Sequence, residues 1–208
     1  MPALIAQLIS AQRKGAEVLL VDGGSIDDSV ALARAAGLVV LATGGGRACQ
    51  MNHGAAAATR ELFFFVHADT CLPAQALETV AARLNGTRCW GRFDVEIAAS
   101  LRMVKVVALL MNWRSRLTGI GTGDQTLFLT RQAFEQVGGF PEQPLMEDIE
   151  ISTRLRRHAW PVCLHERVKT SGRRWEKFGV WPTIFLMWRL RWAYWRGVPA
   201  GVLAQAYR

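Results

Sequence analysis

The sequence predicts an α/β fold with a mostly parallel sheet. Between residues 4 and 84, short apolar runs typical of buried strands alternate with segments of helical periodicity. Aspartates follow directly after two of these runs, at the sheet edge where α/β folds bind ligands. The chain has 208 residues, of which 50% are hydrophobic and 20% charged. This composition is typical of a globular domain and excludes a disordered one.

The first half of the chain contains strong local signals for each element. The spacing of Leu4, Leu8 and their neighbours predicts a helix face, Gly37 is a helix stop, and Pro73 favours the first turn of a helix. The predicted elements are strands at 17–21, 38–41 and 62–66 and helices at 27–36, 50–60 and 73–84, after the opening helix.

The second half has a different rhythm but continues the same fold class. Its predicted elements are strands at 92–97 and 126–129 and helices at 103–113, 131–137 and 145–157. Gly138 and Gly139 end the predicted helix at residues 131–137. From Trp181 to Trp195 the chain is rich in tryptophan with interleaved arginines. We therefore predict one domain, residues 1–178, and a C-terminal helical appendage, residues 179–208.

Charge is unevenly distributed along the chain. The net charge is +8, and residues 151–208 contain 12 of the 25 Lys and Arg but only 2 of the 17 Asp and Glu. A basic segment attracts the phosphates of nucleotides, nucleic acids or anionic lipids, although a solvated basic face would have the same composition. The four cysteines are scattered without a C-x-x-C pair, and the N-terminus has no signal-peptide pattern. Both features favour a cytoplasmic protein.

Three carboxylates are candidates for chemistry. Asp22 and Asp69 each follow a predicted strand, and Asp148 lies in the acidic start of a predicted helix. Carboxylates that hold a metal-bound diphosphate, with Lys or Arg to neutralise the leaving group, suit group transfer from a diphosphate. A further carboxylate can deprotonate an attacking hydroxyl. Individually, such aspartates also serve as turn formers and helix caps.

Six motifs in order resemble those of family 2 glycosyltransferases. On the nucleotide side, residues 21–27 resemble the V-D-D/G-G-S-x-D motif, residues 46–54 resemble the second nucleotide-side motif, and residues 65–69 stand at the D-x-D position. On the sugar and acceptor side, residues 121–125 resemble the donor-sugar loop, residues 138–148 resemble the G-G-F…E-D segment, and residues 171–175 resemble the R-W motif. The variants G-R-A-x-Q-M-N, H-A-D-T and G-D-Q resemble the radical-SAM/selenodomain-associated, arsenosugar-biosynthesis-type branch. The resemblance implies a GT-A fold, the three-layer sandwich of nucleotide-diphospho-sugar transferases.

The resemblance also implies an activity and its residues. The enzyme would be an inverting transferase of the hexosyltransferase class, with Asp148 as general base and Asp69 binding Mg²⁺ or Mn²⁺. Asp22 would hold the nucleobase or ribose of the donor. The other residues implied to bind substrate are Gly23 and Arg47 on the nucleotide side, Gly123, Asp124 and Gln125 around the sugar, Glu147 beside the base, and Arg173, Arg174 and Trp175 over the diphosphate or acceptor.

The sequence departs from the family pattern at two places. His67 occupies the position of the first aspartate of D-x-D, so it is either a second metal ligand or a hydrogen-bonded strand-end residue. The family fold opens with a strand and a base-contacting loop, and this sequence starts in the helix that follows them. We therefore expect either that the true start lies upstream or that this polypeptide is a weakened or degenerate version. Because that strand normally lies in the middle of the sheet, its backbone partners would have to be paired in another way.

The tail and the function leave alternatives open. Tryptophans with interleaved arginines suit a helix in the membrane interface, on the inner face of the membrane, or a helix that packs its tryptophans on the domain. The apolar run 180–188 is too short to span a bilayer. Besides the transferase, the candidates are a degenerate, non-catalytic membrane-associated protein and a basic nucleic-acid-binding module. We expect no nucleic-acid partner, because no recognised binding motif is present.

Overall fold

The structure is a computed structural model that describes residues 2–207. Its strands are β1 (Leu19–Asp22), β2 (Val39–Ala42), β3 (Leu62–Phe65), β4 (Trp90–Ala98), β5 (Leu127–Thr130) and β6 (Val162–Ser171). Its helices are α1 (Pro2–Arg13), α2 (Ser29–Ala35), α3 (Arg47–Ala57), α4 (Ala76–Arg83), α5 (Arg102–Thr118), α6 (Arg131–Gln136), α7 (Glu147–Arg156), α8 (Arg173–Phe178), α9 (Val180–Trp195) and α10 (Ala200–Tyr207). A short 3₁₀ turn covers Gly123–Gln125.

The strands form two separate ladders. β1 and β2 pair in parallel, and the other four strands follow the order β3-β5-β4-β6. In that second ladder β4 and β6 are parallel, whereas β5 is antiparallel to both of its neighbours. Parallel pairing makes up the larger share of the paired residues, which confirms the predicted α/β fold with a mostly parallel sheet.

The predicted elements are present, with shifted ends. The helix predicted from residue 50 begins at Arg47, and the helix predicted to end at residue 113 continues to Thr118. Two elements were not predicted from the sequence, β6 and α8, whereas α9 and α10 lie in the predicted C-terminal helical appendage. β6 pairs with β4 over most of its length, so a distant partner stabilises it rather than its own composition.

The core lies on both faces of the four-stranded ladder. Alternation along β5 sends Leu127 and Leu129 to one face and Phe128 to the other, and all three are at most 2% exposed. On the first face they pack with residues of α6 and α7, including Ile151. On the second face Phe128 packs with Phe93 and with residues of α4 and α5. These two layers fix the loops that carry the candidate site.

A buried polar network fastens α5 to the sheet. The Arg92 guanidinium is fully buried, where it contacts the Asp94 carboxylate and donates to the Ser115 hydroxyl at 3.0 Å. The Asn112 amide accepts from the Val95 amide nitrogen at 2.8 Å and donates to its carbonyl at 3.0 Å. This network fixes the rotation of α5, and it therefore determines which α5 side chains face the site.

The C-terminal helices pack on the domain through their aliphatic residues. Leu190 of α9 and Leu203 of α10 form a buried cluster with Leu145 and Met146, next to the start of α7. The tryptophans of α9 instead face outwards, with exposures between 59% and 79%. Within residues 2–207, no helix has the length and apolarity needed to cross a bilayer.

Candidate active site

Charged side chains gather around the 3₁₀ turn that precedes β5. The Asp124 carboxylate in this turn lies 3.9 Å from Nδ1 of His67, which follows β3. The backbone amide of Gly123 donates to Oδ2 of Asp148 at 2.9 Å. A Cβ on Gly123 would lie 2.4 Å from the His67 ring, so only glycine allows this approach. The turn therefore holds residues from three segments together.

Left-handed backbone occurs on both sides of this cluster. Thr126, directly after the turn, has φ 49°, and Met146, directly before α7, has φ 66°. Such conformations are unfavourable for residues other than glycine, by about 1–3 kcal/mol each. Both residues are buried, so the surrounding core stabilises them. Strain of this kind concentrates at functional sites, and here it directs Asp124 and Asp148 towards the same cleft.

Asp124 lies in a crowded but open cleft. Its side chain is 52% exposed, yet protein atoms and the charges of Asp148 and Asp69 surround it. Desolvation, followed by these like charges, raises the pKa of Asp124, whereas His67 and Arg47 act in the opposite direction. A carboxylate whose pKa is raised by neighbouring carboxylates is typical of a functional site, and such a group of negative charges attracts a cation or a metal-bound diphosphate.

Glu147 and Arg47 form an ion pair between α7 and α3. Arg47 Nε lies 3.1 Å from Oε1 of Glu147, and their side chains are 47% and 3% exposed. Desolvation and the Asp148 charge raise the pKa of Glu147, and Arg47 lowers it by a smaller amount. Glu147 is thus a buried support for Arg47, whose exposed part is at the N-terminal end of α3, where phosphates bind favourably.

Asp69 is a second partly exposed carboxylate of the site. Its side chain is 40% exposed and lies 3.9 Å from Nη2 of Arg173 at the start of α8. Within the described chain, no three His, Cys, Asp or Glu side chains are close enough to form a complete metal site. A divalent ion at this site would therefore need oxygens from water and a bound diphosphate, which is usual for Mg²⁺.

The loop after β1 is tightly organised. The Asp22 carboxylate accepts from the amides of Gly24 and Ser25 and from the Ser25 hydroxyl, and the Ser25 hydroxyl is the main cause of its lowered pKa. A Cβ on Gly23 would collide with the Gln50 side chain of α3. Asp22 and Gly23 therefore form an ordered loop that packs against Gln50 of α3.

Three of the predicted site residues turn away from the cleft. Gln125 is fully buried and donates to Oδ1 of Asn112 at 3.2 Å, so it fixes the 3₁₀ turn to α5. Arg174 donates to the Tyr207 carbonyl and stacks on its ring, at 3.9 Å. Trp175 packs against the core beneath α5. Of the segment 173–175, Arg173 is the residue that reaches the cleft.

The sequence analysis missed Arg114 and assigned no role to Arg191. Arg114 lies on α5 and Arg191 on α9, and the Asp148 carboxylate acts electrostatically on both guanidinium groups. The signal available in the sequence was an arginine within an amphipathic helix, flanked by apolar residues. Such arginines are usually solvent-exposed, so their burial could only be learned from the packing of the helices.

This fold, with its carboxylate cleft beyond the strand ends, belongs to the GT-A class of nucleotide-sugar transferase folds. The family model described as "Glycosyl transferase family 2" matches residues 1–137. The chain therefore belongs to glycosyl transferase family 2. No curated protein sequence matches it significantly.

Solved structures share the fold at low sequence identity. A mannosyltransferase from Pyrobaculum calidifontis, in complex with GDP-Man and Mn²⁺, is similar with a TM-score of 0.60 and 19% identity, over 92% of this chain and 57% of that one. Glucosyl-3-phosphoglycerate synthase from Mycobacterium tuberculosis, in complex with phosphoglyceric acid, is similar with a TM-score of 0.55 and 17% identity, over 81% and 66%. The same synthase in complex with Mn²⁺, UDP-Glc and glycerol 3-phosphate is similar with a TM-score of 0.53 and 15% identity, over 79% of this chain and 66% of that one. The chain thus spans between about three fifths and two thirds of their length.

Proposed function

We propose that this protein is an inverting glycosyltransferase that moves a sugar from a nucleotide-diphosphate donor to an acceptor hydroxyl. The observation that carries the proposal is the gathering of Asp69, Asp124 and Asp148 around one open cleft, with Arg47 and Arg173 beside it. Such an arrangement can hold a diphosphate at one end and activate a hydroxyl at the other. The family membership supports the same chemistry.

In the proposed reaction, Asp148 accepts the proton of the acceptor hydroxyl. The acceptor oxygen forms a bond to the anomeric carbon of the sugar, and the bond from that carbon to the diphosphate oxygen breaks on the opposite face. The bonding electron pair leaves with the nucleoside diphosphate, whose charge Arg47 and Arg173 can neutralise. The hydrogen bond from Gly123 holds the Asp148 carboxylate in place during this step.

Asp69 fits the role of ligand for Mg²⁺ or Mn²⁺. It offers an exposed carboxylate, and both solved relatives named above contain Mn²⁺ in complexes. A bound divalent ion would neutralise charge on the diphosphate. His67 lies against Gly123 and 3.9 Å from the Asp124 carboxylate, which supports a role in positioning that carboxylate rather than in binding the ion.

Titration calorimetry tests the proposal with a panel of nucleoside diphosphates, with and without Mn²⁺. We expect one nucleotide to bind, with an affinity that increases when Mn²⁺ is present. Absence of binding to every nucleotide under both conditions would contradict the proposal and would favour the degenerate, non-catalytic alternative.

We further propose that one strand is missing between β1 and β3. Each of these strands is paired on one side only, and a two-stranded ladder such as β1-β2 is only marginally stable alone. A version of the protein extended upstream should therefore melt at a higher temperature and bind nucleotide more tightly. Equal melting temperatures and affinities would contradict this proposal.

The finer family branch is also a proposal. The strings at residues 46–52, 67–70 and 123–125 support the arsenosugar-biosynthesis-type branch, and two of their residues have structural roles in this fold. Asn52 exchanges hydrogen bonds with the Phe140 backbone, and Gln125 supports the 3₁₀ turn. A panel of donors and acceptors, including arsenic-containing sugar precursors, tests the branch, and consistent rejection of such acceptors would contradict it.

We also propose that an aromatic face on α9 lies in the interface of an anionic membrane, on its cytoplasmic side. The face consists of Trp181, Phe185, Trp188, Trp192 and Trp195, which share one side of the helix at intervals of four and three residues. Exposed Arg189 and Arg196 flank it. In this view residues 1–178 form the catalytic domain and residues 179–208 the membrane-binding appendage, because tryptophan and arginine suit the headgroup region.

Sedimentation with vesicles tests the membrane proposal. Wild-type protein should sediment with phosphatidylglycerol-containing vesicles, and Trp188→Glu should reduce this binding. Leu32→Gln, which changes an exposed apolar residue of α2, is the matched control and should bind like wild type. Equal binding of Trp188→Glu and wild type would contradict the proposal.

A further inference from the structure

Two half-buried arginines, Arg114 on α5 and Arg191 on α9, lie within the electrostatic reach of the candidate base and form no ion pair with a carboxylate in the described chain. Nε and Nη2 of Arg114 are inaccessible to solvent and have no hydrogen-bond acceptor in the described chain. Arg191 likewise forms no ion pair or hydrogen bond with another of residues 2–207. Desolvation is the main cause of its lowered pKa. Burial and the charge of Arg191 lower the pKa of Arg114 to about 9. The two cations thus lie close enough to repel each other.

Arg114 and Arg191 lie on two helices that are fixed to the domain. On α5, Asn112 and Ser115 bond to residues of β4. On α9, Leu190 packs against Leu145 and Met146, directly before Glu147, and Arg191 is its neighbour. Accordingly, Asp148 acts on both arginines and Asp124 acts on Arg191.

Partial burial of two neighbouring like charges is unfavourable, because each loses hydration and neither forms a direct ion pair, although the Asp148 charge attracts both. Proteins retain such groups where a ligand supplies the opposite charge. Arg is also well suited to a phosphate or carboxylate, since its planar guanidinium donates two parallel hydrogen bonds. The missing partner is therefore an anion that enters the cleft beside Asp148.

We propose that Arg114 and Arg191 bind an anionic group, a phosphate or a carboxylate, of the acceptor, and so place its hydroxyl next to Asp148. This inference rests on the proposed function and specifies its acceptor class. The donor diphosphate has its own cations, Arg47 and Arg173, which contact Glu147 and Asp69. Arg114 and Arg191 are instead grouped with Asp148, the residue that must meet the acceptor.

The same anion could belong to a soluble acceptor or to a lipid headgroup. The outward faces of both helices are apolar, with exposed Leu110 and Trp113 on α5 and Trp188 and Trp192 on α9. A lipid phosphate could therefore reach the arginine pair from a membrane held against these faces. The shared chemistry is an anionic acceptor, and the test separates the two sources.

Calorimetry with inorganic phosphate tests the site directly, in protein saturated with nucleoside diphosphate and Mg²⁺ and in protein without nucleotide. Loss of one charge-assisted pair of hydrogen bonds should weaken phosphate binding by roughly tenfold or more in Arg191→Gln and in Arg114→Met. Arg102→Gln, which changes an exposed arginine at the start of α5, is the control and should bind phosphate like wild type.

Thermal unfolding distinguishes a ligand site from a structural role. Because Arg114 is half-buried without an ion-pair partner, Arg114→Met should melt at a higher temperature than wild type while it loses phosphate affinity. Nucleoside diphosphate affinity should remain within a few-fold in both variants. Failure of the proposed function would instead remove nucleotide binding from the wild-type protein itself.

Vesicles of phosphatidylcholine with phosphatidic acid identify the source of the anion. If phosphatidic acid strengthens vesicle binding in the wild type but not in Arg191→Gln, the anion is a lipid phosphate. A response to free phosphate alone would support a soluble acceptor. Two results would overturn the proposal: phosphate affinity equal to wild type in both variants, or a loss of nucleoside diphosphate affinity that equals the loss of phosphate affinity.

Discussion

Replacement of Asp148 by asparagine separates a catalytic role from a helix-capping role. In the wild type, Oδ2 accepts from the Gly123 amide at 2.9 Å, and Oδ1 accepts from the Ile149 amide at 2.8 Å. Asparagine has one acceptor oxygen, which can keep the bond from Gly123. Its NH₂ group then faces the Ile149 amide and cannot accept, so one local hydrogen bond and one negative charge at the start of α7 are lost.

The expected loss of stability is small compared with the expected loss of rate. A neutral hydrogen bond contributes about 1 kcal/mol, and a carboxylate in the first turn of a helix about 0.3–1 kcal/mol. The free energy of unfolding should thus fall by about 1–2 kcal/mol, which leaves a domain of typical stability almost completely folded. Loss of a general base should slow turnover by about 10² to 10⁴, or roughly 3–5 kcal/mol of barrier.

The assay measures release of nucleoside diphosphate from a nucleotide sugar in the presence of Mn²⁺ and acceptor. Glu150→Gln is a matched control, because Glu150 lies in the same helical turn but bonds to Arg154 and Tyr194 instead. Turnover should fall by at least about a hundredfold in Asp148→Asn and stay within a few-fold in Glu150→Gln. Equal turnover in the two variants would refute the assignment of Asp148 as the base.

Two further predictions concern the supports of the site. Glu147 has a pKa raised above its usual 4.5. Its ionisation should therefore lower the free energy of unfolding as the pH rises from 4.5 through that raised value. Glu147→Gln should therefore gain stability relative to wild type between pH 4 and pH 7 in denaturant titrations, while nucleotide affinity falls because Arg47 loses its partner. A constant stability difference across this range would contradict the prediction. Gly123→Ala should displace the His67 ring, lower the free energy of unfolding by about 1–3 kcal/mol and reduce turnover, as followed by urea unfolding and donor consumption; unchanged values of both would contradict it.

Most of the fold could be predicted from local patterns, because the first half of the chain has clear strand and helix periods with Gly and Pro at their ends. β6 could not, since its pairing with β4 contains a register irregularity and its exposed side carries several charged residues. An irregular ladder removes the period of two on which strand prediction depends. The ends of α3 and α5 also depended on tertiary packing.

The motifs predicted which segments form the cleft but not the direction of each side chain. Gln125 belongs to the correct turn, yet its amide bonds to Asn112 of α5 and faces the core. Arg174 and Trp175 follow the correct arginine, and helical geometry turns them towards Tyr207 and the core. The Asp148 charge acts on Arg191 because α9 packs on the domain through Leu190, and no local pattern in the sequence shows this packing.

The central claim is that the cleft binds a nucleoside diphosphate through Asp69 and a divalent ion. Titration calorimetry with Mn²⁺ present and absent tests it in the wild type, in Asp69→Asn and in Asp28→Asn, a control that changes an exposed aspartate outside the cleft. We predict that Mn²⁺ strengthens nucleotide binding in the wild type and in Asp28→Asn. In Asp69→Asn this effect of Mn²⁺ should be lost, because a neutral amide is a poor ligand for the ion. An unchanged effect of Mn²⁺ in Asp69→Asn would contradict the account.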